Sequence, residues 1–167
     1  AGRGLNEKRL LAAVKCATLM QLHIDGVSLE TIAETHDCYA ADLSLLKRNL
    51  SWVLDAAGRI FGVLDKEEHD RAAREERTPD SRPHAILARD LKLQVQFGIP
   101  RKAIELIAIP GIGSKRAQAL VSQGIFTIDN LLQTPAHELM QLLKLREPSV
   151  AKLLEQANTL ARPETVT

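Results

Sequence analysis

Aromatic residues are scarce in this chain: one Trp, one Tyr and three Phe make up 3% of it. Val, Ile and Thr are scattered rather than alternating with polar residues, so little is present from which to build a β-rich architecture. Cysteine is scarce as well. Cys16 and Cys38 form neither a CxxC pair nor a disulfide framework, which points to an intracellular protein of cytoplasm, nucleoid or nucleus. On paper they join His23 and His36 as metal ligands, but the spacings match no standard zinc pattern, so no metal is expected. No apolar run approaches the roughly 20 residues that span a bilayer, and no membrane partner is expected. The opening stretch AGRGLNEKRLL also lacks the apolar centre of a signal peptide. An excess of charge is missing too. Twenty-two Lys and Arg face 21 Asp and Glu, for a formal net charge of +1, so contact with a polyanion has to come from local clusters.

What is present is the ordinary balance of a globular protein, 45% apolar and 26% charged, in a length that suits one domain or two small ones. The chain starts abruptly in a helical pattern without Met, as a fragment of a larger protein would. Residues 5–24 repeat apolar positions at threes and fours and predict an amphipathic helix, broken by Asp25-Gly26. SLETIAETHDC predicts a short helix with Ser28 as its N-cap. Residues 40–64 carry the longest helical pattern, and the mixed-charge run KEEHDRAAREER after it reads as a solvated helix end or a connector. TPDSRP reads as a linker. Further helices follow: one ended by Gly98, one starting at Pro100, one over SKRAQALVSQ stopped by Gly124, and TIDNLLQ. Next comes TPAHELMQLLKL, with Thr134 as N-cap and Pro135 at its first position, then a last helix over about 148–160. The expected fold is all-α: a helical bundle over 1–76, a linker over 77–83, a second, small helical domain over 84–162 and a tail over 163–167.

The stretch IAIPGIGSKRAQAL carries the chemistry. Gly111 and Gly113 allow positive φ and leave no side chain in the way of a close approach. The N–H groups that open the next helix lack intrahelical partners and carry the positive end of its dipole, a ready anion site. Lys115 and Arg116 add charge in the same turn. The natural ligand is a backbone phosphate, held by Gly111, Ile112, Gly113, Ser114, Lys115 and Arg116 without reading any base. A tight structural turn that binds nothing is the plainer alternative. LMQLLKLREPSVAKLLEQA resembles a degenerate second copy without the glycines, expected to complete the core.

Other chemistries fail on the same residues. A nucleotide P-loop needs GxxxxGK[ST], which is absent, and a dinucleotide fingerprint needs a third glycine where Arg116 stands. A DNA glycosylase would use Lys115 as nucleophile but needs an aspartate where the chain has Gln133; Asp129 comes four residues early. No catalytic residue is expected.

The turn itself resembles the helix-hairpin-helix motif. With ADLSLLKRNLSWVLDAAGRI some forty residues before LQVQFGIPRKAIELIAIPGIGSKRAQAL, the chain resembles the C-terminal part of a Ski2-like superfamily 2 DNA helicase of the Hel308 type. There, a helical bundle called the ratchet domain precedes a small helix-hairpin-helix domain. The resemblance implies a long helix lying along single-stranded DNA, with Trp52 stacked on a base. The family's arginine falls at Leu45 here, and Lys47 and Arg48 are the nearest bases. A lone tryptophan in a small helical domain is also often plain core, and both roles stay open. The implied function is non-sequence-specific binding of single-stranded or branched DNA, as an accessory module gripping phosphates through the PGIG hairpin. The motor domains of the parent helicase, with their ATP and magnesium, would be the other partner and lie outside the chain. The competing reading is a protein-interaction or scaffold module with a structural hairpin, which would not need Lys115 and Arg116.

Overall fold

In the computed structural model of the chain the described residues are 2–78 and 83–161, and they form helices and turns without strand. The all-α expectation holds. Residues 79–82 of the expected linker and the expected tail at 163–167 lie outside the described residues.

Helices α1 (Gly2–Ile24) and α2 (Leu29–Thr35) close a small core with the start of α3 (Ala40–Arg74), built on Leu19, Met20, Leu29, Ile32 and Leu43. Ser28 caps α2 as expected, its Oγ accepting from the Thr31 amide at 3.1 Å. Helix α3 runs past Leu64 to Arg74, through the charged segment that has almost no apolar face. Ala72 is fully buried there, and Glu68 pairs with Arg77 at 2.9 Å and with Arg71 at 3.9 Å. Part-exposed pairs of this kind contribute only up to about 1 kcal/mol each. The strong helix formers Ala, Glu, Lys and Arg supply the remainder.

Helix α4 (His84–Phe97) lies antiparallel along α3. Asp55 of α3 binds Lys92, and Asp65 accepts from the Ala85 amide at 2.8 Å while His84 Nδ1 stands 3.3 Å from its other oxygen. A carboxylate of one helix thereby caps the amino end of the next. The Ala85 amide, and then His84, hold the Asp65 carboxyl below its ordinary 3.8. This cap is in full force above that value and is lost as pH falls through the lowered native one. Asp65→Ala should therefore melt at a lower temperature than wild type near about pH 7. Followed by circular dichroism, the difference should shrink toward about pH 2. A difference independent of pH would show that the charge of Asp65 plays no part.

The second half is built on a larger core. The segment Arg101–Ala108 is a 3-10 helix rather than an α-helix, and Pro100 precedes it in extended backbone (ψ 157°) instead of opening it. Its buried residues and the one after it, Ala103, Leu106 and Ile109, are spaced by threes, the 3-10 repeat. Helices α5 (Ser114–Ser122), α6 (Ile128–Gln133), α7 (Ala136–Leu143) and α8 (Glu147–Ala161) complete this core around Leu120, Leu131 and Leu139. Glu105 supports it from outside by accepting from the Ile128 amide at 2.7 Å, at the start of α6. Helix α7 begins one residue later than expected, because Pro135 is extended (ψ 139°) and occupies the cap that Thr134 was expected to fill.

The two halves meet at Gly98, which ends α4 in the left-handed conformation (φ 66°). The His23 ring from α1 and the Gln118 amide from α5 close on it, and Gln118 Nε2 donates to the Phe97 carbonyl at 3.2 Å. Burial holds His23 below its ordinary 6.5, so it is neutral near neutral pH.

Candidate functional site

Between the 3-10 helix and α5 the chain reverses in four residues. The Ile112 amide donates to the Ile109 carbonyl at 3.1 Å, Pro110 takes the second place, and Gly111 takes the third with φ 93°. Pro followed by a positive-φ Gly is the type II combination, so the sequence dictates this turn. Gly113 departs from expectation. Its φ is −98° and its ψ −176°, extended backbone open to any residue. A Cβ added there would meet nothing within 4 Å. The fold therefore asks for glycine at 111 and leaves bare space at 113.

Helix α5 starts at Ser114 with no side chain capping its amino end. The Ser114 hydroxyl lies 3.5 Å from the Gln96 carbonyl instead. Lys115 is exposed, and Arg116 folds back so that Nη1 donates to the Gly111 carbonyl. Ile112 is 5% exposed and packs in the core, so only its backbone is available to a ligand. Neighbouring bases are committed elsewhere: Arg101 pairs with Asp90 at 3.0 Å, and Lys102 sits 3.4 Å from the Phe126 ring centre. Among the described residues Lys115 and Arg116 have no ion pair.

The expected degenerate copy forms a second hairpin, α7 to α8, with Lys144 in the left-handed conformation (φ 52°) where a glycine is missing. Leu139, Leu143, Val150 and Leu153 bury its inner face, so it does complete the core. Residues 103–159 match the family described as the SAM-like helix-hairpin-helix tandem. Curated relatives extend the likeness over most of the chain. The ATP-dependent DNA helicase Hel308 of Aeropyrum pernix is 27% identical over 148 residues, covering 87% of this chain and 18% of that protein. Hel308 of Pyrococcus abyssi is 24% identical over 137 residues, 82% of the chain and 17% of that protein. Hel308 of Thermococcus kodakarensis is 24% identical over 134 residues, 79% and 10%. This chain is Hel308-like, resembling the C-terminal, hairpin-bearing region of such helicases. It spans between 10% and 18% of the length of these three relatives.

On the Hel308-like long helix the structure places Trp52 at the surface, 72% exposed and outside both cores. Arg48 is exposed one turn earlier on the same face. Lys47 is half-buried and close enough to His23 to oppose its protonation, which separates it from Trp52. Arg59, seven residues after Trp52, pairs with Asp55 at 2.8 Å. Leu45, at the place of the family's arginine, is exposed. No described helix is long and apolar enough to cross a membrane.

Proposed function

We propose that this region is a non-sequence-specific, single-stranded DNA-binding accessory module of a longer Ski2-like, ATP-dependent helicase, gripping the phosphate backbone through the PGIG hairpin. The observation that carries this reading is the bare surface over Gly113, beside an uncapped helix start and the bases Lys115 and Arg116. A backbone amide there meets a phosphate oxygen only if no side chain stands between them. Trp52 supplies a stacking surface for a base, and Arg48 a charge beside it. The motor domains of the longer protein, with their ATP and magnesium, are the other expected partner.

Gly113→Ala tests the grip cleanly. Backbone at 113 is compatible with alanine and the space is open, so stability should hold or rise by about 0.4–1 kcal/mol. Binding of a labelled oligothymidine, read by fluorescence anisotropy, should weaken about tenfold or more, the equivalent of one charge-assisted hydrogen bond. Unchanged affinity would sink the hairpin grip.

A second reading, docking of protein, is favoured by one observation. Leu10, Leu11 and Val14 of α1, with Ile60, Val63 and Leu64 of α3, are each half exposed or more. Wild-type protein that ignores DNA at low salt would shift the function to these two exposed apolar stretches.

A further inference from the structure

Beside the PGIG turn lies a cavity of about 370 Å³ shared by both hairpins. Arg116 lines it from the first. Ser149, Lys152 and Gln156 line it from α8, at spacings of three and four that put them on one helix face. Leu145 and Leu153 contribute apolar wall, and no carboxylate lines the cavity. Arg116 spends one donor on the Gly111 carbonyl, and a guanidinium has five. Lys152 is exposed and has no ion pair among the described residues. Two cations over low-dielectric walls, with a hydroxyl and an amide alongside, concentrate positive potential in one recess. The chemistry that answers them is an oxyanion with an apolar neighbour: a phosphodiester with its deoxyribose against Leu145.

We propose that this cavity is a second phosphate subsite, where Arg116 and Lys152 share one backbone phosphate of the bound strand. The inference rests on the DNA-binding reading and adds α8 to it. One hairpin then holds a phosphate by its amides, while the neighbouring phosphate is held between the two hairpins by side chains.

The test is anisotropy of a labelled oligothymidine over a series of salt concentrations with wild type, Lys115→Ala, Lys152→Ala, Lys152→Arg, Arg116→Ala and Arg116→Ala/Lys152→Ala. Lys152→Ala should weaken binding about three- to tenfold and reduce the salt slope by about 0.7, the share of one contact on a single strand. Lys152→Arg should restore most of both. The double variant should lose less than the product of the two single losses, because the residues act on one phosphate. Wild-type behaviour of Lys152→Ala beside a weakened Lys115→Ala would overturn the subsite and leave the hairpin grip standing. Losses that multiply would overturn the sharing. Wild-type affinity in every variant would remove both hairpin contacts, and a wild type that does not bind at low salt would remove the DNA-binding reading itself.

Discussion

Gly98→Ala is expected to destabilise the folded chain by about 2–5 kcal/mol. An alanine in the left-handed conformation costs roughly 1–2 kcal/mol, and overfilling a packed site roughly 1–3 more. Both apply here. The backbone sits at φ 66°, and an added Cβ would press on the Gln118 amide and stand 2.5 Å from His23 Cε1 and 2.9 Å from Nδ1. The Gln118 end can swing away, but it would give up its bond to the Phe97 carbonyl. The His23 ring cannot, since it is 3% exposed. Gly124 is the built-in control: it too has positive φ (77°), with nothing within 4 Å of an added Cβ. Gly124→Ala should cost only the backbone part, about 1–2 kcal/mol. Urea unfolding of the two variants gives the comparison, and equal losses would show that the crowding at Gly98 relaxes freely. In a His23→Ala background the Gly98→Ala loss should shrink toward the Gly124 value.

Trp52→Ala is expected to weaken binding of single-stranded DNA by about 5- to 150-fold, the range of one lost base stack at roughly 1–3 kcal/mol. Its stability should stay within about 0.5 kcal/mol of wild type, because a side chain 72% exposed packs against little. That contrast separates a stacking role from a core role, in which stability would fall as well. Trp52→Phe should keep most of the affinity. The chain holds one tryptophan, so its fluorescence reports on this residue alone. Quenching on addition of oligothymidine, absent from a duplex of the same length, is the expected signature. Full affinity in Trp52→Ala would remove the stacking role.

Local chemistry made much of this legible in the sequence. Ser28, Gly98 and Gly124 mark helix ends by capping and by positive φ, and Pro110-Gly111 writes a type II turn. Three features escaped for physical reasons. Helix α3 outruns its apolar pattern because helix propensity and the Glu68 pairs carry it to Arg74. The 3-10 segment hides in eight residues, too few for a repeat of three to stand apart from 3.6. The buried series Ala103, Leu106, Ile109 was the available signal. Lys152 stands 36 positions from Arg116, and only the tandem fold brings the two to one cavity. For Trp52, the sequence pattern admitted both surface and interior. A helix face is apolar for a core or for a partner, and periodicity alone does not distinguish them.

The length of α3 has a mechanical consequence. Thirty-five residues make a rod about 52 Å long, embedded near Leu43 at one end and strapped to α4 through Asp55 and Asp65. Taken as a rigid rod pivoting near Leu43, α3 would move its Arg74 end by about 4 Å for a tilt of about 5°. Trp52 rides on the same lever arm, nearer the pivot, and moves less than the tip for any given tilt. For a rigid α3, a small tilt at one end is therefore read out as a displacement of several ångströms at the other.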